Sequence, residues 1–106
     1  MALGMIEVYG FTTAMVVADK MAKSADVKVV AVDKNKPKNA ESAEVPLVMA
    51  VKIEGGAAAV TAAIDAGIEE AEKRGLYLTH KVIAHQSEEI EWFAKMNVLG
   101  RDKLKK

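Results

Sequence analysis

The sequence predicts an α+β domain in which a four-stranded antiparallel sheet carries two main helices on one face. Three observations lead there. Apolar residues alternate or run together over four short segments and recur at helical spacing over two longer ones. Glycines stand at the joints between them. The segments follow in the order β-α-β-β-α-β, which short, right-handed connections fold into a split βαβ arrangement.

The first strand is read over Leu3 to Tyr9. Leu3, Met5, Ile6, Val8 and Tyr9 leave few polar positions, as in a central strand covered on more than one side. Gly10 ends it. Phe11 to Ala25 reads as a helix, with Ala14, Val17, Ala18, Met21 and Ala22 on one stripe and Asp19, Lys20 and Lys23 on the wet side. Val27 to Val32 is short and β-branched, the second strand. Val45 to Ile53 alternates: Val45, Leu47, Met49, Val51 and Ile53 share one face, and Val48, Ala50 and Lys52 the other. Gly55 and Gly56 then open an alanine-rich helix, Ala57 to Arg74, whose stripe runs Val60, Ala63, Ile64, Gly67, Ile68 and Ala71. Gly75 reads as its C-cap. Gly67 is tolerated in mid-helix, where glycine costs about 1 kcal/mol against alanine, by close helix–sheet contact. Leu76 to Ala84 is the fourth strand. Ser87, followed by Glu88 and Glu89, can cap a short C-terminal helix ending at Gly100.

This is the ferredoxin-like order, βαββαβ. Residues 1–99 read as a single domain and 100–106 as a basic, frayed tail. The sheet face away from the helices carries too much apolar surface to meet water entirely. The terminal helix or another subunit is expected to cover part of it.

Composition narrows the function classes. The 106 residues carry no formal net charge, so the electrostatic footprint of a nucleic-acid binder is absent, as is a reason to bind an anionic membrane. There is no cysteine, which excludes disulfides, thiolate metal sites and cysteine nucleophiles. The opening MALGMIEVYG lacks a basic segment followed by an apolar one, so no signal peptide is expected. No apolar run approaches the roughly 20 residues that span a bilayer.

The chemistry search is short. RNA binding on this element order needs stacking aromatics, and VPLVMAVKI has none. Metal binding would need His80 and His85 together with a third ligand that the sequence does not offer. Asp65, Glu69, Glu70 and Glu72 lie along a solvated helix side with Lys73 and Arg74, which is no catalytic cleft. Ser42 and Ser87 have no assignable partner, and Gly55-Gly56 before a helix is an anion site only in its weakest form. No catalytic residue, metal or cofactor is expected. A small-molecule regulatory module, binding an effector between subunits, is the other class this fold admits.

Three stretches are more specific: ALGMIEVYG, VADKMAKSADV and AAIDAGIEEAEKRG. In order and in element length they resemble bacterial microcompartment shell proteins of the single-domain, hexamer-forming type, from Ala2 to about Phe93. The resemblance implies a non-enzymatic, cytoplasmic structural protein. Six copies would form a flat tile, tiles would pack edge to edge with other shell proteins around encapsulated enzymes, and an opening on the sixfold axis would pass small metabolites. In such proteins the loop between the second and third strands lines that opening.

That loop is where this chain departs from the resemblance. Relatives carry a short, glycine-rich loop; VDKNKPKNAESAEVP has no glycine, two prolines and three lysines. Residues 33 to 46 are expected to shape the opening, with Asn35, Lys36, Pro37, Lys38, Asn39, Ala40, Glu41 and Ser42 as candidate lining. Prolines restrict the backbone, and lysines precede Glu41 and Glu44. Such a loop either narrows, caps or gates the opening, the reading preferred here, or projects from one face and leaves a wider hole. At the tile edge, Lys23 matches the rim lysine of relatives; by itself it is also a cation near a helix C-terminus. Where relatives carry an arginine between prolines, this chain has Ala84-His85-Gln86, and His85 lacks arginine's permanent charge and planar fork.

Overall fold

The computed structural model describes residues 1–35 and 47–85. Its elements are β1 (Ala2–Tyr9), α1 (Phe11–Ser24), β2 (Val27–Asn35), β3 (Val48–Gly55), α2 (Ala57–Lys73) and β4 (Tyr77–Ile83). The strands form a four-stranded sheet in the order β2-β3-β1-β4, with every neighbouring pair antiparallel. This is the split βαβ topology the element order predicts. The central strands are β1 and β3, which accounts for their near-continuous apolar sequence.

Strand register divides the sheet into two faces. Gly4, Ile6 and Val8 of β1 stand opposite Ile53, Val51 and Met49 of β3. This row faces the helices, because a Cβ on Gly4 would lie 2.7 Å from Val60 Cγ1 and 3.0 Å from Ile64 Cγ1 of α2. Gly4 thus lets α2 press onto β1. Ile6, Val8, Met49, Val51 and Ile53 pack with Val17 and Met21 of α1 and Val60 and Ile64 of α2 into one core. Burying each such side chain is worth about 1.5–3 kcal/mol. In turn, α1 lies over β2 and β3, and α2 over β1 and β4.

The helix stripes follow the expected spacing, with two differences. On α1 Thr13 is buried and Ala22 is exposed, so the stripe sits slightly rotated. Gly67 makes room for the other helix rather than for the sheet: an added Cβ would meet Met21 Sδ at 2.9 Å and Val17 Cγ1 at 3.3 Å. The C-terminus of α2 is closed as expected. Gly75, at φ 72°, donates its N–H to Glu72 O, and Leu76 N–H donates to Ala71 O. That pair of bonds is a Schellman motif, and it needs the left-handed conformation glycine adopts freely.

Strand ends differ from the sequence reading. β2 continues through Asp33 and Lys34 to Asn35, because its backbone goes on pairing with Ala50, Met49 and Val48 beyond the β-branched run. β3 begins at Val48, with Leu47 outside the ladder, and runs on to Gly55. The expected helix from Ser87 and the tail 100–106 lie outside the described residues.

Candidate functional site

At one end of the sheet Asn35, Val48 and Tyr9 form a row across β2, β3 and β1. The N-terminus of α1 is tied to the same place, since Gly10 N–H donates to Leu47 O at 2.7 Å. The connection between β2 and β3 is therefore rooted where one edge strand and one central strand end beside a helix start. Of the candidate lining, Asn35 is the last residue of β2. Lys36, Pro37, Lys38, Asn39, Ala40, Glu41 and Ser42 lie outside the described residues. Asp33 and Lys34, read from sequence as loop, are strand residues paired with Ala50 and Met49.

Running from this root along the far face of the sheet is a feature the sequence reading missed. Leu3, Ala50, Lys52, Glu54, Ala31 and Asp33 share the face away from the helices and are all buried. Lys52 has a side chain 1% exposed, and its Nζ stands 3.4 Å from Asp33 Oδ2. Asp33 Oδ1 also accepts the Lys34 backbone N–H at 3.0 Å. Asp33, Lys52 and Glu54 are all engaged in polar interactions, as burial of charge requires. A sequence signal existed: Lys52 is the one charge in VPLVMAVKI, and it shares its face with the apolar Val48 and Ala50.

The candidate edge residues sit elsewhere. Lys23 is in the last turn of α1, its side chain 74% exposed and its Nζ 2.9 Å from Asp19 Oδ2. His85 is exposed beyond the end of β4. Lys23 precedes Val27, which pairs with Gly55, and His85 follows Ile83, which pairs with Leu3. Both emerge at the sheet end opposite the loop root, from opposite edges of the sheet. The fold does not bring them together within one chain, so any joint role needs a neighbour.

His80, on the edge strand β4, is exposed, and its Nδ1 lies 2.7 Å from Tyr77 Oη. With Nδ1 unprotonated, the tyrosine hydroxyl donates. On α2 Glu70 accepts a 3.0 Å hydrogen bond from Arg74 Nε and lies 3.5 Å from Lys73 Nζ. The Arg74 hydrogen bond, helped by the charges of Lys73 and Arg74 and opposed by burial, holds its carboxyl below the ordinary value. Phe11 and Met15, one turn apart on α1, are exposed apolar side chains. Among the described residues no group of three or more His, Asp or Glu is placed to hold a metal, and no helix is long and apolar enough to cross a membrane.

The fold is thus a split βαβ domain with a buried Asp33–Lys52 pair, its β2–β3 connection rooted at one sheet end and the exposed Lys23 and His85 toward the other. The comparisons with known proteins make that specific. The chain belongs to the BMC domain family, whose model matches residues 2–86. It is 38% identical over 89 residues to the bacterial microcompartment shell protein PduK of Salmonella typhimurium, covering 84% of this chain and 51% of that one. It is 31% identical over 91 residues to the shell protein EutK of Escherichia coli, covering 86% of this chain and 49% of the relative. A crystal structure of a microcompartment protein from Desulfitobacterium hafniense superposes with TM-score 0.70 at 26% identity, covering 85% of this chain and 46% of that one. The chain spans about half the length of the curated relatives it matches.

Proposed function

We propose that this chain is a non-catalytic tile of a bacterial microcompartment shell. Six copies close a flat ring in the bacterial cytoplasm, and rings pack edge to edge with other shell proteins around enclosed enzymes. The connection 36–46 lines an opening on the sixfold axis through which small metabolites pass. The observation that carries this reading is membership of the BMC domain family over residues 2–86, nearly the whole of the described chain. The topology supports it, since the connection joins adjacent strands at one sheet end while Lys23 and His85 emerge at the other. The lining carries lysines before Glu41 and Glu44, so charge enters the opening in sixfold rings.

Negative-stain images of the purified chain test the reading. Flat hexagonal particles or sheets are expected. Compact dimers, trimers or tetramers would instead support the effector-binding regulatory module. The edge assignment has its own test. Histidine changes charge around neutrality, so raising the pH from about 5.5 to about 8.5 is expected to alter sheet assembly of the native chain more than of a His85→Arg variant. Identical assembly of the two removes His85 from the edge.

A further inference from the structure

The buried charges beside the loop root lie next to an irregularity in β2. Val29 pairs with Ile53 and Ala31 with Lys52, so Val30 is an extra residue with no partner on β3. A bulge of this kind inverts the faces of everything that follows it. Before it, Val27 and Val29 share the row of Gly55 and Ile53; after it, Val32 and Lys34 share the row of Val51 and Met49. The local sequence VKVVAV does not require this. Were Val30 to pair with Lys52, Ala31 would face the helices and Val32 the side away from them, an equally apolar solution. The difference falls on Asp33. In the observed register it stands opposite Ala50, beside Lys52. In the straight register it would stand opposite Met49, the exposed place that Lys34 now holds, while Lys52 stayed buried on the other face without it.

We propose that the buried Asp33–Lys52 pair is a register selector, holding β2 in its bulged alignment and so fixing how the chain leaves the sheet at Asn35. Buried ion pairs add little net stability but discriminate between registers, because the wrong one leaves a charge buried without its counter-ion. A slip of one residue moves the strand exit by about 3.3 Å and turns its side chains to the other face. The consequence for the opening rests on the tile reading: there the shift would be repeated in all six copies around the axis. The register claim itself does not depend on assembly.

The chain has no cysteine, so engineered pairs read the register directly. Asn35→Cys with Val48→Cys are directly opposed in the observed alignment, and Lys34→Cys with Val48→Cys only in the straight one. In the otherwise native chain the 35–48 disulfide is expected to form and the 34–48 one not. Replacing the charges with apolar groups, Asp33→Val with Lys52→Met, is expected to lower the ratio of the two cross-links at least tenfold. The conservative pair Asp33→Glu with Lys52→Arg keeps it. Deleting Val30 removes the choice, and in that background the apolar pair is expected to leave the 35–48 cross-link dominant. An unchanged ratio in a folded Asp33→Val, Lys52→Met variant overturns the proposal, and so does failure of that variant to fold both with and without Val30. Sedimentation of the same samples reads ring formation separately, so loss of the ring with intact register strikes the tile reading alone.

Discussion

Ile53 and Lys52 are neighbours on β3, both essentially removed from solvent, and they face opposite ways. Ile53 turns to the helices and joins Ile6, Val8, Met49, Val51, Val60 and Ile64 in an unbroken apolar layer. Lys52 turns to the side away from the helices, where Asp33 and Glu54 are buried with it. The first face is held by area removed from water, a non-directional force that many packings could satisfy. The second buries charges that tolerate few arrangements. One face drives folding; the other restricts the ways in which the folded strands can align.

The contrast can be broken at its sharpest point. Ile53→Lys places on the helix-facing side the same group that Lys52 carries one position earlier. Without a counter-ion it should cost several kcal/mol, against a total stability of about 5–15 kcal/mol for a domain. The variant is expected to show no cooperative thermal transition by circular dichroism. A folded variant of near-native stability would mean that the two faces are not distinct.

Lys52→Ala tests the other side. It strands Asp33, and a loss of about 3–5 kcal/mol is expected in urea unfolding. Asp33→Val with Lys52→Met should cost less than that single change, since removing both partners of a buried pair is often neutral. If the double variant is the less stable one, the pair contributes stability rather than alignment.

The sequence made the apolar face legible and left the charged one obscure, for a physical reason. Periodicity reports which residues are apolar, so the rows of Met49, Val51 and Ile53 and of Val60, Ala63 and Ile64 were readable directly. Periodicity assigns a lysine to water by default, and Lys52 was accordingly placed on the second face without any suggestion of burial. The bulge at Val30 is invisible for a related reason: Val29, Val30, Ala31 and Val32 satisfy either alignment, and partner strands decide. The same partner effect carried β2 on to Asn35, past where β-branched propensity stops. Gly67 was seen to need a close neighbour, but spacing along one helix does not say whether that neighbour is sheet or helix. Of the candidate site, Lys23 and His85 are exposed side chains toward opposite edges of the sheet. The lining residues from Lys36 to Ser42 lie outside the described chain.

Two smaller effects separate folding from assembly. Lys23→Ala removes only an exposed pair with Asp19, so stability should change by no more than about 0.5 kcal/mol. If Lys23 lies on the rim, sheets in negative stain should be lost while rings persist; unchanged sheets would reduce Lys23 to an ordinary surface cation. Glu70 offers the mildest contrast. Its folded-state pKa lies below the ordinary value of 4.5, so it stabilises the fold above that value and the contribution fades as pH falls through the lowered one. Acid melting curves of Glu70→Gln should therefore fall less steeply below about pH 5 than those of the native chain. Parallel curves would show that the Arg74 contact adds nothing.

The claim on which the functional account stands is closure of a ring, and sedimentation velocity of the purified chain measures it directly. A species of six times the 11.4 kDa chain mass, persisting on dilution, is the result the account predicts. A single-chain mass that survives concentration would contradict it.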